Sequence, residues 1–254
     1  MALLTLVLGP VQKLAIWRGW RVQNHIPLFY HRLFRRLVGL KVVVSGQPCR
    51  VAPVLFVANH ASWLDIPALA GLVRASFVAR DDLAGWGVFG MLARLQRTVF
   101  IDRERRVRAG AHFDQMLARL SAGDNLILFP EGTSNDGNRV LAFKTSLFAL
   151  AERWRRIHDG AAPLHVQPVS LAYTALDGVP LSRRRRPLVA FYGDMELGPH
   201  FWQVLRHGRI TVRVHFHPPV TAQAFKTRKT LAAHCRREIA GGLGAALHGL
   251  PPAS

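Results

Sequence analysis

Asn59 and His60, with Asp65 five residues on and the run Phe129-Pro130-Glu131-Gly132-Thr133 far downstream, are the residues of this chain best equipped for chemistry. An imidazole titrates close to neutral pH and can take up a proton as a general base. Asp65 can accept a hydrogen bond from the far ring nitrogen of His60, fix its tautomer and stabilise the imidazolium that forms. No activated nucleophile accompanies them: Ser62 lacks the Gly-x-Ser-x-Gly surroundings of a nucleophile elbow. The set suits removal of a proton from a substrate hydroxyl, as in acyl transfer to an alcohol.

Other readings compete for the same residues. Ser62-Trp63-Leu64-Asp65 has the form of a capping box, in which an acid in the first helical turn needs no catalytic role. Both roles are compatible, because a carboxylate has two oxygens. Residues 131–137 read as a loop in which Gly132 allows close backbone approach, Thr133 offers a hydroxyl and Glu131 can accept from a substrate hydroxyl. Arg103, after Phe100-Ile101-Asp102, can clamp an anionic headgroup, and Lys144 is a second candidate for an anion. His215 and His217 alternate along one strand face without a third ligand, so no metal site is expected.

The elements that must carry these residues alternate in type. Strand-like runs fall at 42–44, 54–58, 76–79, 98–101, 126–129, 165–173, 188–192 and 210–217, and helix-like runs at 63–72, 83–95, 107–122, 144–154 and 231–243. This alternation predicts an α/β domain over residues 41–254 with a central mixed, largely parallel sheet flanked by helices. His60 and Glu131 each follow an apolar strand, at the carboxyl edge where open α/β sheets gather ligands. The Arg183–Arg186 run reads as a solvated loop.

Residues 1–40 read as a separate helical segment that associates with membrane. Met1 to Val11 is apolar but interrupted at Gly9-Pro10, and is shorter than the ~20 residues a spanning helix needs. Residues 26–40 place Leu28, Phe29, Leu33, Phe34 and Leu37 at helical spacing among Arg32, Arg35 and Arg36, so an interfacial amphipathic anchor is expected. Lys and Arg number 34 against 15 Asp and Glu, a net charge of +19, while half the residues are hydrophobic. A basic, apolar chain without interleaved aromatics points to anionic membrane lipids as partners and away from nucleic acid. Cys49 and Cys235 form no disulfide framework, which fits the cytoplasmic face of an inner membrane and peripheral or monotopic attachment. A non-enzymatic basic protein that binds membrane or nucleic acid and a serine hydrolase using Ser62 are the readings of other classes.

Together these motifs resemble the glycerophospholipid acyltransferase family. Asn59, His60 and Asp65 match its Asn-His-x4-Asp motif, Phe100 to Arg103 its second motif with Arg97 where a glycine is frequent upstream, and Phe129 to Thr133 its third. Val166-Gln167-Pro168-Val169 matches the fourth loosely. The resemblance spans about residues 40–220 and implies acyl transfer to a lysolipid hydroxyl, 1-acyl-sn-glycerol-3-phosphate first, with His60 and Asp65 as the catalytic residues. It implies acyl-CoA or acyl carrier protein as thioester donor, no cofactor, and acceptor contacts from Arg103, Glu131, Gly132, Thr133 and Lys144. Asn135 to Val140 and Tyr192 to Leu197 resemble segments of the branch that acylates lyso-ornithine lipid, the alternative acceptor.

Overall fold

A computed structural model describes residues 2–101, 109–158 and 162–251. The run Val54–Ala58 (β2) is apolar at every position and buried at every position, as expected of a central parallel strand covered on both faces. Its side chains alternate. Leu55 and Val57 join one core with residues of α5 (Ala109–Ser121), α6 (Ala149–His158) and α8 (Arg228–Leu247). Val54, Phe56 and Ala58 join the other, with residues of α3 (Asp65–Ala70) and the long strand β6 (His165–Leu176). The period of two therefore builds a helix–sheet–helix sandwich from one strand outward.

Among the described residues the sheet runs β1 (Leu40–Gly46), β8 (Ile210–Phe216), β6, β2, β5 (Leu126–Leu128), β3 (Ser76–Arg80), β4 (Val99–Ile101). The pairs from β6 to β4 are parallel, β8 is antiparallel to β6, and β1 is parallel to β8, which gives the mixed, largely parallel sheet expected. Short strands β7 (Val179–Pro180) and β9 (Val220–Thr221) hang off β6. β2 and β5 are neighbours, Val57 opposite Leu128, so the segments carrying His60 and Glu131 leave adjacent strands at one edge.

Several expectations are corrected. Residues 188–192 form no strand: a 3₁₀ turn spans Arg186–Leu188, and the backbone beyond bonds to the 61–62 and 134 turns. The helix expected at 63–72 covers only Asp65–Ala70. The run at 83–95 divides into a 3₁₀ turn, Asp81–Gly85, and α4 (Gly87–Leu95), with Gly87 at φ 49° between them. A further helix, α7 (Leu197–Arg206), was not foreseen. Arg186 is no solvated loop residue: it is 5% exposed, and its guanidinium donates to the carbonyls of Tyr173 and Leu181 and to Asn138 Oδ1.

At the N-terminus, α1 (Ala2–Trp17) runs through Gly9-Pro10 instead of breaking there, and α2 (Ile26–Leu37) ends before β1. No described helix is long and apolar enough to cross a membrane. Gln12 donates to the carbonyls of Gln23 and Leu95, and Ala15 is fully buried, so α1 is seated on the domain through one face. The boundary set at residue 40 falls on the first residue of β1, and Val38 and Leu40 already belong to the core.

Candidate active site

Beyond β2, Asn59 extends the pairing with side chain instead of backbone. Its Oδ1 accepts from Leu171 N–H and its Nδ2 donates to Leu171 O, so the chain stays clamped to β6 as it leaves the sheet. His60 follows, and its Nδ1 lies 2.8 Å from Asp65 Oδ2. The same oxygen accepts the N–H groups of Ala61 and Ser62 at 2.7 and 3.0 Å, while Oδ1 accepts the Tyr173 hydroxyl at 2.6 Å. Asp65 thus combines the two roles weighed for it: it closes the turn before α3 and it holds the imidazole. Ser62 contributes only a long contact to this turn, its Oγ accepting Leu64 N–H at 3.4 Å, and α3 itself starts at Asp65 with Leu64 before it and no side-chain cap.

Because Asp65 accepts at both oxygens, His60 presents Nδ1–H to it and keeps the Nε2 lone pair for a substrate. The imidazole is stacked on Phe129, centroids 4.2 Å apart and 15° from parallel, and its side chain is 22% exposed, against 0% for Asp65. Tyr173 is held well above its ordinary pKa, first by burial and then by the Asp65 charge, so it remains a hydrogen-bond donor. Ser62, the serine weighed as a nucleophile, is fully buried and its hydroxyl donates to Val189 O at 2.8 Å.

The Glu131 loop straps His60 from the other side. Glu131 Oε1 accepts His60 N–H at 2.9 Å, and Oε2 accepts from Asn135 Nδ2 at 2.7 Å and Leu141 N–H at 2.9 Å. Asn135 N–H in turn donates to His60 O. Glu131, 3% exposed and engaged at both oxygens, braces the His60 turn in this structure. Burial raises its pKa above the ordinary carboxylate value, while the three donors pull it back. Gly132, at φ 76°, donates its N–H to Phe129 O. Thr133 is exposed, between two residues that bond the His60 backbone. Lys144 is exposed and its N–H donates to Pro130 O, which ties it to the same loop. Arg103 lies outside the described residues.

Three contributors escaped sequence reasoning. Tyr173, a hydroxyl in an otherwise apolar strand, gave the one available signal. Phe129 lies in the Phe-Pro-Glu-Gly-Thr run, and nothing in its type or spacing signals that its ring stacks on His60. Segment 182–191 reaches the site through Arg186, Ser62 to Val189 O, and Phe191 N–H to Ala61 O. Arg97 adopts φ 60°, a conformation that a glycine reaches without strain. Its guanidinium binds Asn24 Oδ1 at 2.7 Å and Asp124 Oδ2 at 2.9 Å, contacts that offset the backbone cost.

An imidazole held by a carboxylate at the carboxyl edge of an α/β sheet, with the nearby serine hydroxyl bonded elsewhere, suits a transferase centre better than a serine hydrolase. A family model described as Acyltransferase matches residues 41–172. The chain is 43% identical over 251 residues to the lyso-ornithine lipid O-acyltransferase of Brucella abortus, covering 98% of this chain and 93% of that one. It is 34% identical over 181 residues to the 1-acyl-sn-glycerol-3-phosphate acyltransferase of Neisseria meningitidis serogroup B, covering 70% and 64%. The crystal structure of the 1-acyl-sn-glycerophosphate acyltransferase of Thermotoga maritima shares the fold at a TM-score of 0.58 and 20% identity, over 96% of this chain and 95% of that one. The chain belongs to the acyltransferase family and is an O-acyltransferase.

Proposed function

We propose that the protein moves a fatty acyl group from a thioester to the hydroxyl of a lysolipid in membrane lipid biosynthesis, with His60 as general base and Asp65 as its orienting partner. The observation that carries the reading is the 2.8 Å Nδ1–Oδ2 contact, which engages Nδ1 and leaves Nε2 of a partly exposed side chain for a substrate. His60 Nε2 takes the hydroxyl proton as the oxygen attacks the thioester carbonyl, and the thiolate leaves. Asp65 stabilises the imidazolium, and Glu131 and Asn135 hold the His60 backbone in place. Thr133 and Lys144, exposed on the strapping loop, together with Arg103, are the side chains assigned to the acceptor headgroup.

The acceptor we favour is lyso-ornithine lipid. The chain is 43% and 40% identical to lyso-ornithine lipid O-acyltransferases of Brucella abortus and Rhizobium meliloti. The two segments that resemble that branch also flank the site: Asn135 bonds His60 O, and Tyr192 follows Phe191, whose N–H bonds Ala61 O. Lysophosphatidate is the second reading, supported by the 34% identity to the Neisseria enzyme. Acyl-CoA or acyl carrier protein serves as donor, without a cofactor.

The enzyme works from the cytoplasmic membrane surface, attached by α1 and α2. Leu3, Leu6 and Trp17 are 76%, 73% and 74% exposed on α1, and Trp86, just before α4, and Val88 and Phe89 on it are exposed as well. Such an apolar surface on a basic chain suits an interfacial position. Attachment also spares the acyl chain its transfer through water, which costs about 0.8 kcal/mol per CH₂. Incubating the enzyme and a His60→Ala variant with paired acceptors and an acyl thioester, followed by lipid mass spectrometry, tests the proposal. Acylated product from the native enzyme and a loss of about 10²–10⁴-fold in the folded variant are expected. Near-native turnover by folded His60→Ala refutes the base.

A further inference from the structure

A cavity of about 660 Å³ opens between the end of α2, the start of β1, the turn after β6 and the turn before β8. Arg35, Arg36, Lys41 and Arg209 line it, together with Asp177. Asp177 brings one negative charge against these four positive ones; its Oδ1 accepts the backbone N–H of Arg209 at 2.7 Å. Among the described residues none of the four cations forms an ion pair, although Arg80, Arg97, Arg119 and Arg153 do. Arg35 lines the cavity too, although its Nη1, buried without a hydrogen-bond partner, lies against Gly71 at the end of α3. Burial and the charges of Arg32 and Arg36 pull its guanidinium below the ordinary arginine value, as crowded cations should.

Register places the cavity. Asn59 pairs with Leu171, and β6 then continues to Leu176, opposite Ile210. The cavity therefore lies roughly 17 Å further along β6 than His60, on the end of the sheet towards which His60 leaves. It is separate from the reacting groups, and no residue of the candidate active site lines it. α2 supplies two of its arginines and also exposes Phe29 and Leu37.

We propose that this cavity is a docking site for the phosphate of an anionic lipid headgroup, held by Arg35, Arg36, Lys41 and Arg209 while the apolar residues of α2 enter the same leaflet. The site rests on the membrane attachment argued above. Guanidinium groups bind phosphate oxygens in pairs, and Lys41 adds a point charge. A resident lipid held there keeps the sheet end that carries His60 facing the bilayer.

The test compares the full chain with an Arg36→Ala/Lys41→Ala/Arg209→Ala variant. Its control, Arg156→Ala/Lys226→Ala/Lys229→Ala, removes equal charge from exposed positions; Lys226 and Lys229 follow β9, which pairs with the opposite end of β6. Cosedimentation is measured with vesicles of phosphatidylcholine alone and with about a third phosphatidylglycerol. At about five-fold per cation, the site variant should lose on the order of 100-fold in binding to the anionic vesicles. The control should lose far less, and binding to neutral vesicles should not change. Inorganic phosphate should displace the native protein more than sodium chloride of equal ionic strength, and should not do so for the site variant.

Equal losses in site and control variants, or phosphate no better than chloride, would overturn the site. Phosphate bound tightly by lipid-free protein, or a raised KM for acyl-CoA, with vesicle binding unchanged in the variant, would overturn the lipid source. Turnover on detergent-dispersed acceptor should match the native enzyme. Absence of turnover in every protein would strike the acyl-transfer reading and leave the vesicle result standing.

Discussion

Replacing Asp65 by asparagine tests how the imidazole is held. Two backbone N–H groups, of Ala61 and Ser62, point at Oδ2 together with His60 Nδ1, and the Tyr173 hydroxyl points at Oδ1. An amide in this position must turn its oxygen to the three clustered donors, because its NH₂ would oppose both backbone N–H groups. His60 then keeps an acceptor for Nδ1–H and its productive tautomer. What is lost is the negative charge opposite the imidazolium. At an effective dielectric of ~20 a unit charge pair ~4 Å apart is worth about 4 kcal/mol, so the rate should fall by about 10²–10³. An Asp→Asn change that inverts the tautomer costs about 10⁴ instead. The amide NH₂ also leaves the Tyr173 hydroxyl hydrogen without its acceptor, at about 1–3 kcal/mol of stability. Thiol release under single-turnover conditions, with thermal unfolding in parallel, reads both. Turnover within five-fold of native would refute electrostatic coupling between Asp65 and His60, and a loss beyond 10⁴ in folded protein would refute the amide orientation.

Arg186→Met should lower stability by about 2–4 kcal/mol, because the carbonyls of Tyr173 and Leu181 lose a buried charged donor; an unchanged urea midpoint would contradict this. His31, half-buried on α2 and bonded to Gln96, has its pKa pushed down to about 4 by desolvation, against that hydrogen bond. A depressed pKa contributes stability above the unfolded value of 6.5 and loses it as pH falls towards 4, up to about 3 kcal/mol in all. Native protein should therefore lose more stability between pH 6.5 and 4 than His31→Gln, and parallel curves would refute the assignment. Leu3→Ser/Leu6→Ser/Trp17→Ser, on the exposed face of α1, should reduce membrane partition at least 100-fold with the fold intact, at about 1.5–3 kcal/mol for each side chain. Flotation with membranes reads this better than deletion of residues 1–40, which removes core residues Val38 and Leu40.

Local pattern was enough to read much of this protein. The uninterrupted apolar run at 54–58 has one structural use, a strand buried on both faces, and it delivered His60 to a carboxyl edge. Asp65 lies close enough in sequence for a single turn to return it to His60, so their meeting was legible from spacing. The α/β class followed from alternating periods. Other features depended on partners remote in the chain. That Leu128 lies opposite Val57, and so brings Glu131 to His60 N–H, follows from strand order, which periodicity does not encode. Tyr173 reaches Asp65 from 108 residues away, and Arg186 leaves solvent only because Tyr173 O, Leu181 O and Asn138 converge on it. The turn at 188–192 looked like a strand because its residues are apolar, yet its backbone groups bond to the His60 turn and its loop. Sequence by itself decided which residues could do chemistry and on which kind of element they sit. Tertiary structure decided which of them stay exposed and which are consumed in holding His60, because burial and hydrogen-bond satisfaction are settled by neighbours that only the folded chain brings together.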